Sequence, residues 1–244
     1  MPDRAVRPVR RRPVAVLFDF HGTLAQVEDA VTWVRAAAAS LGAELDPLRA
    51  TVLADRLLTA GRAGGPLPRR VPPHLAELWA ERDLYPHAHR AAYTGLASGV
   101  DCGLPGLPDA LYDRLLISDG WRAYPDAAAT LASLQAAGVP VGVVSNIGFD
   151  LRPIAAELGL AELVDEWVLS YEVGRCKPDP GIFLRGCAIL GADPERVLVV
   201  GDMPADAAAV EVGCTALLLP AAPVGEPNGL AAVLDLIGCD PVHS

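Results

Sequence analysis

Short apolar runs that end at a polar residue constrain the fold of this chain more than any other feature of its sequence. The runs cover residues 14–18 before Asp19, 139–144 before Ser145, 197–200 before Gly201-Asp202, and 217–219 before Pro220. Continuous, β-branched apolar runs of this length are typical of strands buried on both faces of a sheet. Helical stretches of about ten residues alternate with them, which predicts an α/β fold with a parallel sheet.

The helices between these strands have clear ends, whereas a long central segment has a different pattern. Residues 126–137, 150–158 and 180–190 are predicted helices, each closed by a glycine. The central segment is predicted to be all-helical, with helices at 28–41, 46–60, 73–84, 90–99 and 108–117. We therefore expect a core of residues 1–24 and 119–244, covered by a helical cap of residues 25–118.

Composition and charge exclude several classes of partner. The chain has 20 Lys plus Arg against 30 Asp plus Glu, and this net charge of −10 disfavours nucleic acid and anionic membranes. No apolar run approaches the ~18 residues of a membrane span. The five cysteines are scattered without a paired spacing, which is typical of a reduced protein in which they are small buried hydrophobes. We expect a soluble, cytoplasmic protein.

The first twelve residues form a basic tail with five arginines. The tail lacks the apolar stretch of a secretory signal and the Ser-rich character of a transit peptide. We expect a frayed N-terminus there.

Polar residues at the strand ends are the candidates for chemistry, because ligands of a parallel sheet bind beyond the carboxyl ends of its strands. Asp19 is followed by Gly22, which allows a tight turn whose amides face an anion. Asp202 and Asp206 lie four residues apart. A strand-end Asp202 can ligate a metal, while Asp206 caps the next helix or supports the site.

Lys177 is the single lysine beside 19 arginines. Pro178 disfavours helical backbone angles at Lys177, Asp179 is a candidate N-cap, and Pro180 suits a first helical turn. The lysine is therefore expected in extended chain just before a helix. A compact ammonium there can neutralise a phosphate or a carboxylate.

These motifs together resemble those of the haloacid dehalogenase-like hydrolase superfamily, in the same order. They are Asp19-Phe20-His21-Gly22-Thr23-Leu24, Ser145, Lys177-Pro178-Asp179-Pro180 and Gly201-Asp202-Met203-Pro204-Ala205-Asp206. The resemblance implies a Rossmann-like core with a mobile helical cap, and most members are Mg²⁺-dependent phosphatases. It further implies that Asp19 is the nucleophile and forms an aspartyl-phosphate.

The resemblance also implies roles for the other motif residues. Ser145 and Lys177 would contact the phosphoryl group, with Gly22, Thr23 and Asn146 as further phosphate-binding residues. The Mg²⁺ ligands would be Asp19, Asp202 and the backbone carbonyl of His21, with Asp206 in support.

His21 departs from the family pattern, because the phosphatases have an aspartate two residues after the nucleophile. It could perform the same acid–base catalysis, with a pKa lowered by Mg²⁺ and Lys177. It could instead mark a different reaction or an inactive site. Dehalogenating relatives also lack this aspartate, but they lack the metal-binding motif that Asp202 belongs to. Phosphonate-cleaving relatives use a cap lysine, which this chain does not have.

The expected function is hydrolysis of a small phosphorylated metabolite by a Mg²⁺-dependent phosphatase, with His21 among the catalytic residues. The alternatives are a degenerate member that binds a phosphorylated ligand or a protein partner, and a hydrolase of a non-phosphate substrate such as a haloacid. Substrate identity and oligomeric state are not predicted. His87 and His89 face opposite sides of a helix and are not expected to bind metal together. Arg69, Arg70 and Arg90 are expected to be solvated.

Overall fold

A five-stranded parallel sheet forms the centre of the computed structural model, which describes residues 12–241. Residues 12–241 contain strands β1 (Ala15–Phe18), β2 (Ala25–Val27), β3 (Trp121–Ala123), β4 (Val141–Ser145), β5 (Glu166–Leu169), β6 (Val197–Gly201) and β7 (Thr215–Leu218). The large sheet has the order β5-β4-β1-β6-β7, and every neighbouring pair is parallel. The α/β fold predicted from the sequence is confirmed.

Helices precede or follow the strands along the chain. Those within the described range are α1 (Ala30–Ser40), α2 (Pro47–Ala60), α3 (Ala76–Glu81), α4 (Pro86–Ser98), α5 (Leu107–Leu115), α6 (Ala127–Ala136), α7 (Arg152–Glu157), α8 (Ser170–Val173), α9 (Pro180–Ile189), α10 (Pro204–Ala207) and α11 (Ala231–Ile237). Several starts are set by aspartate caps. Asp29 accepts a hydrogen bond from Thr32 N at 2.9 Å, and Asp46 accepts one from Arg49 N at 3.0 Å.

The central strands are buried on both faces, as their apolar sequences predict. Val16 and Phe18 of β1 pack into one apolar cluster, while Ala15 and Leu17 pack into another on the opposite face. Successive side chains of a strand point to opposite faces, so a run without polar residues needs a cover on each side. Helices and loops cover both faces of the sheet. The carboxyl ends of its strands, which we call the sheet edge, are where ligands of a parallel sheet bind.

Helices α1–α5 lie between β2 and β3 in sequence and have their own apolar cluster around Trp33, Leu53, Leu57 and Leu111. The expectation of an all-helical insertion over residues 25–118 is wrong at its start, which is the strand β2. β2 and β3 pair antiparallel, with Val27 opposite Trp121. Three-residue strands are too short to give a periodic pattern in the sequence. The division into a core and a cap of residues 25–118 stays a prediction, and it would separate β2 from β3. Below, the word cap denotes only helices α1–α5 and the loops that join them.

The strand β5 was not predicted. It begins with the exposed Glu166 and the half-buried Trp167, and only its last two residues are fully buried. An edge strand of this kind lacks the continuous apolar run that marked its neighbours. The strand expected at 217–219 is also shifted, since β7 begins at Thr215.

The expected frayed tail comprises residues 1–12, of which residues 1–11 lie outside the described residues. Arg12 is described, and its guanidinium donates hydrogen bonds to the backbone oxygens of Ile237 and Gly238 at 2.5 and 2.6 Å. Within residues 12–241, no helix combines the length and the apolar character required to cross a membrane.

All five cysteines are free thiols. Cys187 and Cys214 are buried with their sulfur atoms 3.7 Å apart, whereas the other three are only partly buried. The expectation that all five are buried is therefore right for two of them.

Candidate active site

Strand order brings three of the predicted polar residues to one edge of the sheet. β1 lies between β4 and β6, so Asp19, directly after β1, is flanked by Ser145 at the end of β4 and Asp202 directly after β6. The amide of Asp19 donates to Val200 O at 2.7 Å, which continues the pairing of the strands up to the carboxylate. Asp19 and Ser145 are 7% and 3% exposed. The strand-end reasoning therefore found residues that lie together.

Lys177 is the cation of this edge. Its Nζ donates to Asp19 Oδ1 at 2.7 Å, to Asp206 Oδ1 at 2.6 Å and to Val144 O at 3.0 Å. These bonds use all three donors of the ammonium. Burial by itself lowers the pKa of Lys177, but Asp19 and Asp206 raise it above its ordinary value. The lysine is therefore held protonated and oriented.

Asn146 holds the main chain of Lys177 from both sides. Its Oδ1 accepts from Lys177 N at 2.7 Å, and its Nδ2 donates to Lys177 O at 2.8 Å. The expected cap at Asp179 is present, with Gly181 N donating to Asp179 Oδ1 at 2.7 Å. Asn146 was expected at the phosphate. In the structure its amide is engaged by the Lys177 backbone, which gives it a positioning role.

Three carboxylates crowd around the lysine. Asp19, Asp202 and Asp206 each offer an oxygen within 4.8 Å of the others. Asp206 uses one oxygen for Lys177 and the other for Met203 N at 3.0 Å. Asp202 Oδ1 is buried and has no hydrogen-bond partner in the described part of the chain. Because native proteins rarely leave a buried carboxylate oxygen unpaired, this atom indicates a missing ligand.

The charge balance of the cluster also suits a divalent cation. Burial raises the pKa of Asp19 to about 7, against the opposing effect of Lys177, and Asp206 adds to the rise. Burial and then Asp206 also raise the pKa of Asp202. Three acidic groups around one lysine leave a surplus of negative charge, and carboxylate oxygens are ligands that Mg²⁺ prefers. The donor set fits this ion.

The loop after β1 approaches Asp202 closely. Gly22 has φ +84°, and a Cβ there would lie 2.4 Å from Asp202 Oδ2, so only glycine fits. The amides of Gly22 and Thr23 have acceptors inside the loop, and their expected role at the phosphate stays a prediction. Gly22 N donates to Ala25 O at 2.8 Å, and Thr23 N donates to Phe20 O at 3.4 Å. Thr23 is fully buried. These two backbone amides therefore donate to backbone oxygens of the same turn.

His21 lies between the sheet edge and the cap. Its ring meets Trp121 edge-on at 5.6 Å, and a Cβ on Gly64 of the cap would lie 2.6 Å from its Nε2. Burial, and then the positive charge of Arg62, lower the pKa of His21 to about 4. The sequence predicted this direction but attributed it to Mg²⁺ and Lys177. The imidazole is neutral at physiological pH.

Two residues at the site were missed by the sequence analysis. Arg62 is buried beside His21, and its only signal was the Gly-rich stretch of residues 61–65 between two predicted helices. Asn228 donates through Nδ2 to Gly22 O at 3.1 Å and to Thr23 O at 3.0 Å. No local sequence pattern predicts a contact between Asn228 and residues so distant from it in the chain.

The other candidates form no hydrogen bond or ion pair with the carboxylates around Lys177 within residues 12–241. His89 is buried, with Nδ1 2.8 Å from the hydroxyl of Tyr112. Arg90 pairs with Asp109 and Asp113. Arg69 and Arg70 are exposed. Across residues 12–241, the three aspartates around Lys177 are the one group with a metal-binding arrangement.

The model of the haloacid dehalogenase-like hydrolase family matches residues 14–212, which include the whole sheet edge described above. The chain belongs to this hydrolase family. The resemblance inferred from the motifs is confirmed.

Curated relatives of this hydrolase match it over part of their length. An N-acetylmuramic acid 6-phosphate phosphatase of Pseudomonas aeruginosa is 42% identical over 83 residues, which are 33% of this chain and 36% of the relative. An (S)-2-haloacid dehalogenase 4A of Burkholderia cepacia is 35% identical over 92 residues, 37% of this chain and 40% of the relative. The chain thus spans well under half the length of these two relatives.

Solved structures match nearly the whole hydrolase. A HAD family hydrolase from Deinococcus radiodurans R1, with bound phosphate and sodium, is 30% identical with a TM-score of 0.52, covering 92% of this chain and 88% of that one. A dehalogenase with an intermediate complex has a TM-score of 0.63 at 24% identity, covering 93% and 97%. The second likeness concerns the fold alone.

Proposed function

We propose that this hydrolase is a Mg²⁺-dependent phosphatase that cleaves a small phosphorylated metabolite through an aspartyl-phosphate. The observation that carries the proposal is the pairing of Asp19 with Lys177 beside Asp202, whose buried oxygen lacks a partner among residues 12–241. A carboxylate that attacks phosphorus must have its charge offset, and this edge provides both a fixed cation and a place for a second one. The phosphatase among its relatives and the phosphate bound to a neighbour support it.

In this mechanism Asp19 attacks the phosphorus atom, the bond from phosphorus to the leaving oxygen breaks, and that oxygen takes a proton from water to leave as an alcohol. Lys177 keeps Asp19 oriented and neutralises charge on the transferring group, while the Ser145 hydroxyl donates to a phosphoryl oxygen. Asp19 and Asp202, with the carbonyl of His21, would hold Mg²⁺. When bound, the ion supplies charge neutralisation for the phosphoryl oxygens.

His21 serves the second step. Its low pKa of about 4 leaves the imidazole neutral, so it accepts a proton better than it donates one. Its Nε2 has no hydrogen-bond partner among residues 12–241. We assign it the general-base role in which it takes a proton from the water that hydrolyses the aspartyl-phosphate.

One observation favours a second candidate function, the hydrolysis of a haloacid. Position 21 carries no carboxylic acid, and one relative is a haloacid dehalogenase. In that reaction Asp19 would displace a halide from carbon, for which no divalent cation is required. The unpartnered oxygen of Asp202 argues for the phosphatase instead.

The deciding experiment measures phosphate release from a panel of phosphorylated metabolites, with Mg²⁺ and with excess chelator, and chloride release from 2-chloropropionate. The phosphatase proposal expects phosphate release that requires Mg²⁺. Chloride release that survives chelation would favour the dehalogenase. Phosphate esters that bind without turnover in either condition would favour a degenerate member.

A further inference from the structure

Arg62 is a buried cation that forms no ion pair within residues 12–241. It is 7% exposed, and no carboxylate of the described residues lies within 4.0 Å of its guanidinium. The guanidinium also makes no hydrogen bond within that range, although the backbone oxygen of Arg62 accepts from Gly65 N at 3.0 Å. Lys177, the other buried side-chain cation of that range, has two carboxylate partners. Burial of an unpaired charge is strongly unfavourable, so an arginine kept in this state indicates a ligand that completes it.

The acids nearest to Arg62 are already engaged. Glu28 and Asp29 are the two whose charge reaches its guanidinium. Glu28 accepts two hydrogen bonds from Arg114, at 2.7 and 3.0 Å, and Asp29 caps α1. Burial lowers the pKa of Arg62 to about 10, so the group stays positive at neutral pH. Glu28 and Asp29 therefore offset part of the charge of Arg62 without forming an ion pair with it.

Arg62 lines a small, mainly apolar cavity, and its guanidinium lies 4.3 Å from the ring centroid of Trp33. Leu111 and Leu115 are among the apolar walls, and the other lining cation, Arg114, is paired with Glu28. A π face stabilises a cation without cancelling its charge. The space open to the centres of water-sized groups is about 20 Å³, which is enough for one small polar group.

The cavity adjoins the candidate active site. Gly64, two residues after Arg62, lies against the His21 ring, and the charge of Arg62 is felt by that ring. His21 is itself two residues after Asp19. A ligand group at Arg62 therefore lies near His21, on the cap side.

We propose that Arg62 binds a carboxylate of the substrate, so that the substrates are phosphomonoesters of small hydroxy acids. The proposal rests on the phosphatase function proposed above. A planar carboxylate matches the guanidinium fork and carries the single charge that Arg62 can neutralise. A second phosphate would bring two charges and more bulk into an apolar cavity of this size.

The test compares 3-phosphoglycerate with glycerol 3-phosphate, which have the same carbon skeleton and differ by a carboxylate in place of a CH₂OH group. The kcat/KM of the wild type should be roughly 10- to 100-fold higher for 3-phosphoglycerate than for glycerol 3-phosphate. Hydrogen bonds between charged groups usually change an equilibrium or rate constant by about this factor. Arg62→Met should abolish this ratio, and Arg62→Lys should restore part of it, because it keeps the charge and loses the fork. Arg70→Met is the matched control, since Arg70 is exposed on the same segment. It should keep the wild-type ratio.

The outcomes separate this proposal from the phosphatase proposal. Turnover of both esters without a preference for the carboxylate overturns the role of Arg62 and leaves the phosphatase intact. If neither ester is turned over, calorimetric titration of both compounds still decides. Tighter binding of 3-phosphoglycerate that is lost in Arg62→Met supports the carboxylate site, and equal binding overturns it. The wild-type comparison alone is decisive if Arg62→Met does not fold.

Discussion

The sheet edge and the interior of the cap bury positive charge in opposite ways. At the sheet edge Lys177 is surrounded by carboxylates, and its pKa is raised. In the cap Arg62 is buried without an ion-pair partner among the described residues, and burial lowers its pKa. Lys177 is paired within the folded structure, whereas we propose that Arg62 pairs with a carboxylate of the substrate. Burial alone thus does not reveal what a cation does, because its partners decide.

The largest effect is expected at the nucleophile. Asp19→Asn replaces a nucleophilic carboxylate by an amide of the same shape and should reduce phosphate release on the order of 10⁴-fold or more. Its circular dichroism and thermal unfolding should match the wild type, because the amide oxygen can still accept from Lys177. Near-normal turnover in this variant would show that Asp19 is not the nucleophile. The sheet edge would then no longer differ from the cap in carrying the chemistry.

Substitution of each cation by methionine tests the comparison directly through stability. Lys177→Met leaves buried carboxylates without their cation and should lower the free energy of unfolding by about 3–5 kcal/mol. Arg62→Met leaves no partner unpaired, so the change should stay within about 1 kcal/mol or be stabilising. Urea unfolding without added Mg²⁺ measures both. Equal losses in the two variants would mean that Arg62 has a structural partner.

Mg²⁺ should raise the stability of the protein by binding at the sheet edge, and this stabilisation should not depend on Arg62 in the cap. An ion that binds only the folded state adds about 2.7 kcal/mol at a concentration of 100 Kd. The Tm in MgCl₂ should therefore exceed the Tm in NaCl of equal ionic strength. The shift should disappear in Asp202→Asn and persist in Arg62→Met. A shift that survives Asp202→Asn would show that the ion binds elsewhere.

A pH titration of stability sharpens the description of the cap. The pKa of His89 is lowered from 6.5 to about 3 by burial and then by Arg82. Above pH 6.5 both the folded and the unfolded states are neutral at this residue. As the pH falls towards 3, only the unfolded state gains the proton, so stability decreases by up to about 1.4 kcal/mol per pH unit.

The matched variant for this titration is His89→Gln, which retains a hydrogen-bonding group for Tyr112 and does not titrate. Urea unfolding between pH 7.5 and 5 should show a shallower decline in the variant than in the wild type. Parallel declines would mean that His89 takes up its proton in the folded cap.

The sequence predicted the sheet edge far better than the cap, for a physical reason. Asp19, Ser145 and Asp202 were found because strand periodicity and the parallel topology together fix where strand ends meet. Arg62 could not be distinguished from Arg70 by sequence, since only the tertiary packing buries one and exposes the other. In general, local propensity carries no information about which side chain lacks a partner.

Residues near the end of the described chain hold both connections between the sheet and the cap. The side chain of Asn228 donates to the backbone oxygens of Gly22 and Thr23, on the connection that leaves the sheet. The backbone N of Asn228 donates to Asp126 Oδ1 at 3.0 Å, beside the connection that returns to the sheet. The Tyr124 hydroxyl donates to the same segment, at Ala222 O, at 3.2 Å. This segment lies beyond the residues matched by the family model.

The part of the chain that leaves the sheet near Gly22 and returns near Tyr124 is thus anchored at both points by one later segment. Replacement of the Asn228 side chain would release the Gly22 carbonyl, whereas the backbone N of residue 228 would still donate to the Asp126 carboxylate. The carboxylates around Lys177 would keep their own hydrogen bonds. A single substitution outside the candidate catalytic residues would therefore free one connection while the other stays held.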